Sequence, residues 1–196
     1  MQKALIIVDV QNDFCPNGSL AVADGDKVVE PLNNLSNHAR QHGWVVVASR
    51  DWHPLVTKHF KEYGGIWPVH CVAESKGAAF HKDLDITNAI IISKGVSDRD
   101  DYSAFDGRTD SGVPLGMYLD GKAVKEIYVG GLATDYCVKE TVLASCRWGF
   151  RTYFLKDASR AVNINPNDEA KAIEEMVRLG TIITTTDEVI HDTAKV

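Results

Sequence analysis

Short apolar runs recur along the chain and are separated by polar or glycine-rich stretches. Each run is too short for a typical helix, and most are rich in β-branched residues, as expected of strands that are buried on both faces of a sheet. The pattern predicts six strands, at Ala4–Val8, Trp44–Ser49, Ala89–Ser93, Glu126–Val129, Thr152–Leu155 and Thr181–Thr184.

Between several of these runs, apolar residues recur at the spacing of one helix face. The clearest cases are Lys27–His42 and Asp168–Leu179, and each is followed directly by a glycine, which commonly ends a helix. A shorter helix is predicted within Gly112–Asp120. The C-terminal segment His191–Val196 shows no periodicity and is predicted to be irregular.

Strands that alternate with helices favour an α/β fold with three layers, in which a six-stranded, mostly parallel sheet has helices on both faces. In open sheets of this kind, ligands bind beyond the carboxyl ends of the strands. Asp9, Asp51, Lys94 and Cys137 each lie at or just past the end of a predicted strand. We therefore expect these four reactive side chains to meet at one edge of the sheet.

Composition narrows the classes of protein to consider. The 196 residues are 44% hydrophobic and 24% charged, and the net charge of −6 argues against a nucleic-acid binder or a partner of anionic membranes. The first apolar run ends at Asp9 and is too short for a membrane span or a signal peptide. Four cysteines without regular spacing favour free thiols in the cytoplasm. We expect one domain over residues 1–196, and a homo-oligomer is compatible with the sequence.

A helix is predicted to begin at Thr134, which follows the strand Glu126–Val129 and two glycines and serves as the N-cap. Cys137 then lies in the first turn, where free N–H groups and the helix dipole favour a nucleophilic thiolate. Asp9 is suited to accept the thiol proton, and Lys94 to stabilise the charges. Taken singly, such residues are more often a core cysteine, a turn aspartate and a surface lysine. At the ends of neighbouring buried strands, unpaired charges are unfavourable, which favours a joint catalytic role.

The long stretch Arg50–Gly77 has little periodicity and contains an aspartate and several histidines, namely Asp51, His53, His59 and His70. A loop of this length is more often functional than idle. One carboxylate with two or three imidazoles suits a divalent metal ion, with Zn²⁺, Fe²⁺ and Mn²⁺ all compatible. The alternative is that these are scattered loop histidines.

Aromatic residues also occur in the predicted loops, at Phe14, Trp67, Tyr102 and Tyr136. They are suited to wall a flat apolar pocket at the same edge of the sheet. Ordinary loop packing explains them equally well from the sequence.

Several motifs together resemble the isochorismatase-like cysteine hydrolase superfamily. They are LIIVDVQNDFCPNGSLAV, SRDWHP, KHF, WPVHCV, ISKG, YSAF and GLATDYCVKETVLAS, in the family's order from Ala4 to about Gly149. DVQNDF and ATDYCV are typical of the superfamily, whereas DWHP with WPVHC is similar to its nicotinamidase (pyrazinamidase) branch.

The resemblance implies a role for each matching residue. Asp9, Lys94 and Cys137 match a catalytic triad. The implied metal ligands are Asp51, His53, His70 and, in some members, His59. The backbone N–H groups of Ala133 and Cys137 are implied to form an oxyanion hole, beside a cis peptide between Leu132 and Ala133. The implied ring-binding pocket is formed by Phe14, Trp67 and Tyr102. Members differ at Tyr136, so no role is carried over to it.

The activity implied by this resemblance is the hydrolysis of nicotinamide to nicotinate and ammonia through a thioester, in NAD salvage, with pyrazinamide as a further substrate. The implied cofactor is a divalent ion, zinc before iron or manganese. Two alternatives remain at this point. One is another amidase or hydrolase of the superfamily, acting on carbamoyl, ureido or isochorismate substrates. The other is a non-catalytic thiol or metal sensor.

Overall fold

The computed structural model describes residues 1–193, which form a seven-stranded sheet between two layers of helices. The strands are β1 (Gln2–Val8), β2 (Val45–Asp51), β3 (Ile90–Lys94), β4 (Arg108–Thr109), β5 (Val124–Leu132), β6 (Arg151–Arg160) and β7 (Ile182–Thr184). Their order is β4-β3-β2-β1-β5-β6-β7, and only the pair β3–β4 is antiparallel. The predicted α/β class is confirmed. The sheet has one strand more than predicted, because β4 is too short to carry a recognisable pattern.

Five α-helices lie within the described residues: α1 (Val29–Gln41), α2 (Leu115–Gly121), α3 (Lys139–Arg147), α4 (Asp168–Arg178) and α5 (Thr186–Thr193). Helix α5 was not predicted, and the expectation of an irregular segment from His191 is wrong as far as Thr193. Residues 194–196 of that segment lie outside the described residues. None of the described helices is both long and apolar enough to cross a membrane.

The central strand β1 is buried on both faces, and its side chains alternate between two cores. Leu5 and Ile7 belong to a core shared with α1 and α5, whereas Ile6 and Val8 belong to a core shared with α2, α3 and α4. All four side chains are fully buried. The unbroken apolar run is therefore explained by a strand that has helices on both sides.

The order of the strands reverses beside β1. From β1 the chain continues through β2 and β3 on one side, and it returns to pair β5 with β1 on the other. Such a reversal opens a crevice at the carboxyl ends of the two central strands. The structure therefore has its natural ligand-binding position where β1 and β5 end.

Strand β5 was predicted to end at Val129. It instead continues through Gly130 and Gly131 to Leu132. Gly131 has a φ of +129°, and a Cβ on it would lie 2.1 Å from the Val8 carbonyl oxygen. Only glycine allows β5 to approach β1 so closely at this point. The two strands consequently stay paired up to the edge where the candidate site lies.

The connection from β5 to α3 differs from the predicted simple helix start. The peptide between Leu132 and Ala133 is cis, a π-helical turn follows over Thr134–Val138, and α3 begins at Lys139. The expectation of a Thr134 cap is wrong, because Ala133 precedes the turn and no side chain caps it. Cys137 therefore lies in the π turn.

Candidate active site

Four charged or nucleophilic side chains converge where the central strands end. Asp9 follows β1 directly, Asp51 ends β2 and Lys94 ends β3, while Cys137 lies in the turn after β5. Asp9 and Lys94 are almost completely buried, and Cys137 retains only 7% of its surface. The convergence follows from the parallel sheet, because its strands all present their carboxyl ends at this edge.

The ammonium group of Lys94 lies at the centre of this cluster. Its Nζ atom is 2.9 Å from Asp9 Oδ2 and 3.4 Å from Cys137 Sγ, and it donates a hydrogen bond to Asp51 Oδ1. Ser49 Oγ donates to the other oxygen of Asp9 at 2.7 Å. A carboxylate oxygen of Asp9 also lies within 4.8 Å of the Cys137 sulfur. A base, a cation and a thiol are therefore within reach of one another.

The charges in this cluster are set by burial and by the two carboxylates. Burial raises the pKa of the Asp9 carboxyl, and Lys94 opposes this effect. Burial and the nearby Asp9 and Asp51 raise the pKa of the Cys137 thiol well above its ordinary value, against the opposing influence of Lys94. Burial would lower the pKa of Lys94, but Asp51 and Asp9 reverse this and raise it well above its usual value.

This environment does not favour the thiolate that the sequence predicts for Cys137. Its sulfur lies in a π turn and faces two carboxylates, so the influence of one lysine does not offset burial. The thiol keeps its proton at neutral pH. Attack by this sulfur then requires the neighbouring carboxylate of Asp9 to take the proton during the reaction.

A second cluster, of three imidazoles, adjoins the first through Asp51. Ring nitrogens of His53, His59 and His70 all lie within 4.8 Å of one another, and all three residues are buried. Oδ2 of Asp51 is 3.6 Å from His53 Nε2. Asp51 thus contacts Lys94 with one oxygen and faces the histidines with the other.

Each imidazole has its Nδ1 atom beside a hydrogen-bond acceptor. His53 Nδ1 is 2.9 Å from the Gly95 carbonyl oxygen, and His70 Nδ1 is 2.7 Å from that of Pro68. These contacts select the tautomer with a proton on Nδ1 and leave Nε2 as a free base. Burial lowers the pKa of His70 to about 4, so this ring is neutral at physiological pH.

These residues fit a divalent metal ion. Nε2 of His53 is buried and has no hydrogen-bond partner within residues 1–193, which is unfavourable and would be relieved if the nitrogen bound a cation. Neutral imidazoles with one carboxylate are the ligands that Zn²⁺, Fe²⁺ and Mn²⁺ share. Burial would raise the pKa of Asp51, but Lys94 lowers it well below its usual range, so the carboxylate is ionised. The sequence does not distinguish among these metals.

Two polar residues that the sequence did not reveal hold the segment with Asp51 and His70 against the sheet. Gln11 is fully buried, donates to the carbonyls of Asp51 and Ala78, and accepts from the Asp51 N–H, all at 2.8 Å. Asp13 accepts from the Cys71 N–H at 2.7 Å, next to His70. In the sequence, the only indication of their role was that both residues lie close after Asp9 in the DVQNDF motif.

A pocket opens above the two clusters. Phe14, Trp67, Tyr102 and Tyr136 line it together with apolar side chains from three further segments, and Cys137 lies at its wall. Trp67 Nε1 donates to the Tyr102 hydroxyl at 2.9 Å, and the Trp67 ring meets Tyr136 edge to face at 5.1 Å. The structure thus brings the predicted aromatic residues together, and Tyr136 with them. A flat aromatic ligand matches these walls.

The predicted oxyanion hole lies at the same wall. Ala133 follows the cis peptide and lines the pocket beside Cys137. The N–H groups of Tyr136 and Val138 both donate to the Ala133 carbonyl oxygen at 3.1 Å, which fixes the backbone of the turn. The role of the Ala133 and Cys137 N–H groups towards an oxyanion stays a prediction.

Comparison with known proteins identifies the class. The model of the isochorismatase domain family matches residues 3–188. The chain is 39% identical to nicotinamidase of Escherichia coli, over 93% of this chain and 94% of that protein. It therefore belongs to the isochorismatase family, and it is a hydrolase of that family.

Solved structures agree with this assignment. The chain is similar to pyrazinamidase of Pyrococcus horikoshii in complex with zinc, at 42% identity and a TM-score of 0.86, covering 94% of this chain and 99% of the other. It is also similar to PnC1 of L. infantum in complex with nicotinate, at 33% identity and a TM-score of 0.85, covering 95% and 93%. Both likenesses extend over nearly the whole fold.

Proposed function

We propose that this protein is a metal-dependent cysteine amidohydrolase that converts nicotinamide to nicotinate and ammonia. The observation that carries the proposal is the position of Lys94, which contacts Asp9, Asp51 and Cys137 together at the base of an aromatic pocket. The relatives named nicotinamidase and pyrazinamidase, and the neighbour that binds nicotinate, support this choice of substrate.

In the first step, the carboxylate of Asp9 takes the proton of the Cys137 thiol as the sulfur attacks the amide carbon. The C=O π electrons move onto the oxygen, and the N–H groups of Ala133 and Cys137 stabilise the resulting oxyanion. Lys94 stabilises the negative charge that passes between carboxylate and sulfur. This sequence suits a thiol whose pKa is raised, since the base acts only when the substrate is present.

In the second step, Asp9 gives its proton to the amide nitrogen, the C–N bond breaks and ammonia leaves, so that the acyl group remains on Cys137 as a thioester. A water molecule then loses a proton to Asp9 and attacks the thioester carbon. The C–S bond breaks, Asp9 returns its proton to the sulfur, and nicotinic acid leaves; its remaining carboxyl proton passes to the released ammonia, which gives nicotinate and ammonium. One carboxylate thus serves as base and acid alternately, and atoms and charge balance over the cycle.

Asp51, His53, His59 and His70 are the proposed ligands of the divalent ion. When bound, the ion would supply positive charge that attracts the pyridine nitrogen of the substrate. The aromatic side chains of the pocket orient the ring, so that the amide carbon faces Cys137. The ion identity proposed is zinc, as in the Pyrococcus horikoshii structure.

We further propose that the reaction serves NAD salvage, that pyrazinamide is also a substrate, and that the protein works in the cytoplasm as one domain over residues 1–196. The four cysteines are all free, which supports a reducing compartment.

The decisive test is ammonia release from nicotinamide, measured before and after treatment with a chelator. We expect release before treatment, loss after it, and recovery when zinc is added. Release from a carbamoyl or ureido compound, but not from nicotinamide, would favour a different amidase of the family. A protein that binds zinc and has a reactive thiol but releases no ammonia would favour a sensor.

A further inference from the structure

The three imidazoles of the metal cluster are not held in the same way. Main-chain carbonyls of Gly95 and Pro68 accept from His53 and His70, so the fold itself orients these rings. The acceptor for His59 is instead a side chain, the carboxylate of Asp100, with His59 Nδ1 2.6 Å from Oδ1. Among the three rings, only the orientation of His59 therefore depends on a replaceable group.

The two members of this pair differ in exposure. The side chain of His59 is 6% exposed, and that of Asp100 is 65% exposed, so the carboxylate reaches from the surface to a buried ring. Asp100 lies in the loop after β3, far along the chain from His59. A carboxylate in this position keeps the proton on Nδ1, which leaves the lone pair on Nε2, and it makes the ring a stronger electron donor.

Further contacts join the same loop to the site. The Lys58 N–H donates to Asp98 Oδ1 at 3.3 Å, beside His59 in the sequence. Nζ of Lys94 donates to the Asp101 carbonyl oxygen at 3.3 Å. The loop that carries Asp100 is thereby held between the histidine segment and the buried lysine, which positions the carboxylate towards the ring.

We propose that Asp100 is a positioning residue for the metal, which orients His59 through a carboxylate–histidine hydrogen bond and makes it the fourth ligand beside Asp51, His53 and His70. This inference rests on the metal site of the proposed function. With Asp100 removed, the ring of His59 is free to rotate and to change tautomer. The site then depends on three ligands. Removal of a group that hydrogen-bonds a metal ligand from outside typically weakens metal binding by about 10- to 100-fold.

The test is the zinc affinity of the zinc-loaded protein, measured by competition with a chromophoric chelator. Asp100→Ala is expected to weaken binding by about 10- to 100-fold. Asp83→Ala is the control, because Asp83 is an exposed aspartate that pairs with Lys82 and lies outside the pocket above the two clusters. It should leave the affinity at the parent's value. Asp100→Leu, which keeps a side chain of similar size but has no hydrogen-bond acceptor, replaces the alanine variant if that variant does not fold.

A second comparison separates positioning from general damage to the loop. In a His59→Ala background, Asp100→Ala should weaken zinc binding no further, because the ring on which it acts is gone. In the cobalt-loaded protein, Asp100→Ala and His59→Ala should change the visible absorption spectrum in the same direction. Unchanged zinc affinity in Asp100→Ala, or an equal loss in both backgrounds, overturns the inference. A parent protein that binds no zinc at all would instead refute the metal site itself.

Discussion

Replacement of Gly95 by alanine is predicted to disturb the metal site through a single methyl group. Gly95 follows Lys94, and its carbonyl oxygen accepts from His53. Its φ is +64°, and an added Cβ would lie 2.5 Å from His53 Cε1 and 2.7 Å from Nδ1. Contacts this short do not persist, so the imidazole must move and its hydrogen bond to Gly95 must lengthen.

Gly43 provides the matched control for the backbone. Its φ is +68°, and an added Cβ would meet nothing within 4 Å. Both alanine variants therefore lose about 1–2 kcal/mol of stability from the left-handed conformation. Gly95→Ala should lose about 0.5–1.5 kcal/mol more, the contribution of one hydrogen bond. Gly95→Ala should also bind zinc about 10- to 100-fold more weakly, because the ligand His53 has lost its hydrogen bond to the Gly95 carbonyl.

The assays are urea denaturation of the chelator-treated proteins and competition for zinc. The difference between the two variants removes the shared backbone effect and leaves the contact with His53. Equal stability loss in both variants, with zinc affinity in Gly95→Ala equal to the parent's, would refute the reasoning that this glycine makes room for a metal-binding ring.

Three further predictions concern the supports of the site. Asp135→Ala removes the acceptor of the Val162 N–H, and Val162 lies at a wall of the pocket. Because this hydrogen bond is lost, the unfolding free energy should fall by about 1.5–3 kcal/mol. Because the pocket wall is disturbed, KM should rise more than kcat falls. Gln11→Leu should cost about 1–3 kcal/mol and weaken zinc binding, because the backbone of Asp51 loses its partners. Since burial lowers the pKa of His70 to about 4, protons should compete with zinc for this ligand only as the pH falls towards that value.

Urea denaturation, steady-state kinetics and zinc competition between pH 7.5 and 5 check these three predictions in turn. Parent-like stability in Asp135→Ala, or a fall confined to kcat, would contradict the role given to its carboxylate. Gln11→Leu with full zinc affinity would show that Asp51 needs no such support. A loss of zinc affinity around the ordinary histidine pKa of about 6.5 that disappears in His70→Ala would contradict a buried, neutral His70.

The sequence allowed prediction of the features that follow from strand ends. Asp9, Asp51 and Lys94 each come directly at the end of a buried apolar run, and parallel strands bring such positions to one edge. Cys137 was placed at the same edge, and the resemblance implied the cis peptide before it, but the π turn was not foreseen. A π turn after a cis peptide has no periodic pattern in the sequence. Thr134 is a residue type that often caps a helix, but here it is buried and its side chain does not cap the turn.

Contacts between distant segments could not be predicted from the pattern. Gln11 and Asp13 are polar residues in an irregular stretch, and nothing in their spacing shows that they bind backbone groups of the histidine segment. Asp100 reaches His59 across the fold, and the two-residue strand Arg108–Thr109 is too short to have a period. These features depend on tertiary packing, which local sequence does not encode in a readable form.

Ammonia release from nicotinamide by Cys137→Ala, compared at equal zinc content with the parent and with Cys146→Ala, tests the proposed nucleophile most directly. Cys146 is a free cysteine of α3 outside the pocket, so its replacement should leave turnover near the parent's value. Cys137→Ala should still bind nicotinamide but lose turnover by about a thousandfold or more. Turnover by Cys137→Ala at the rate of the parent would contradict the nucleophile, and the mechanism with it.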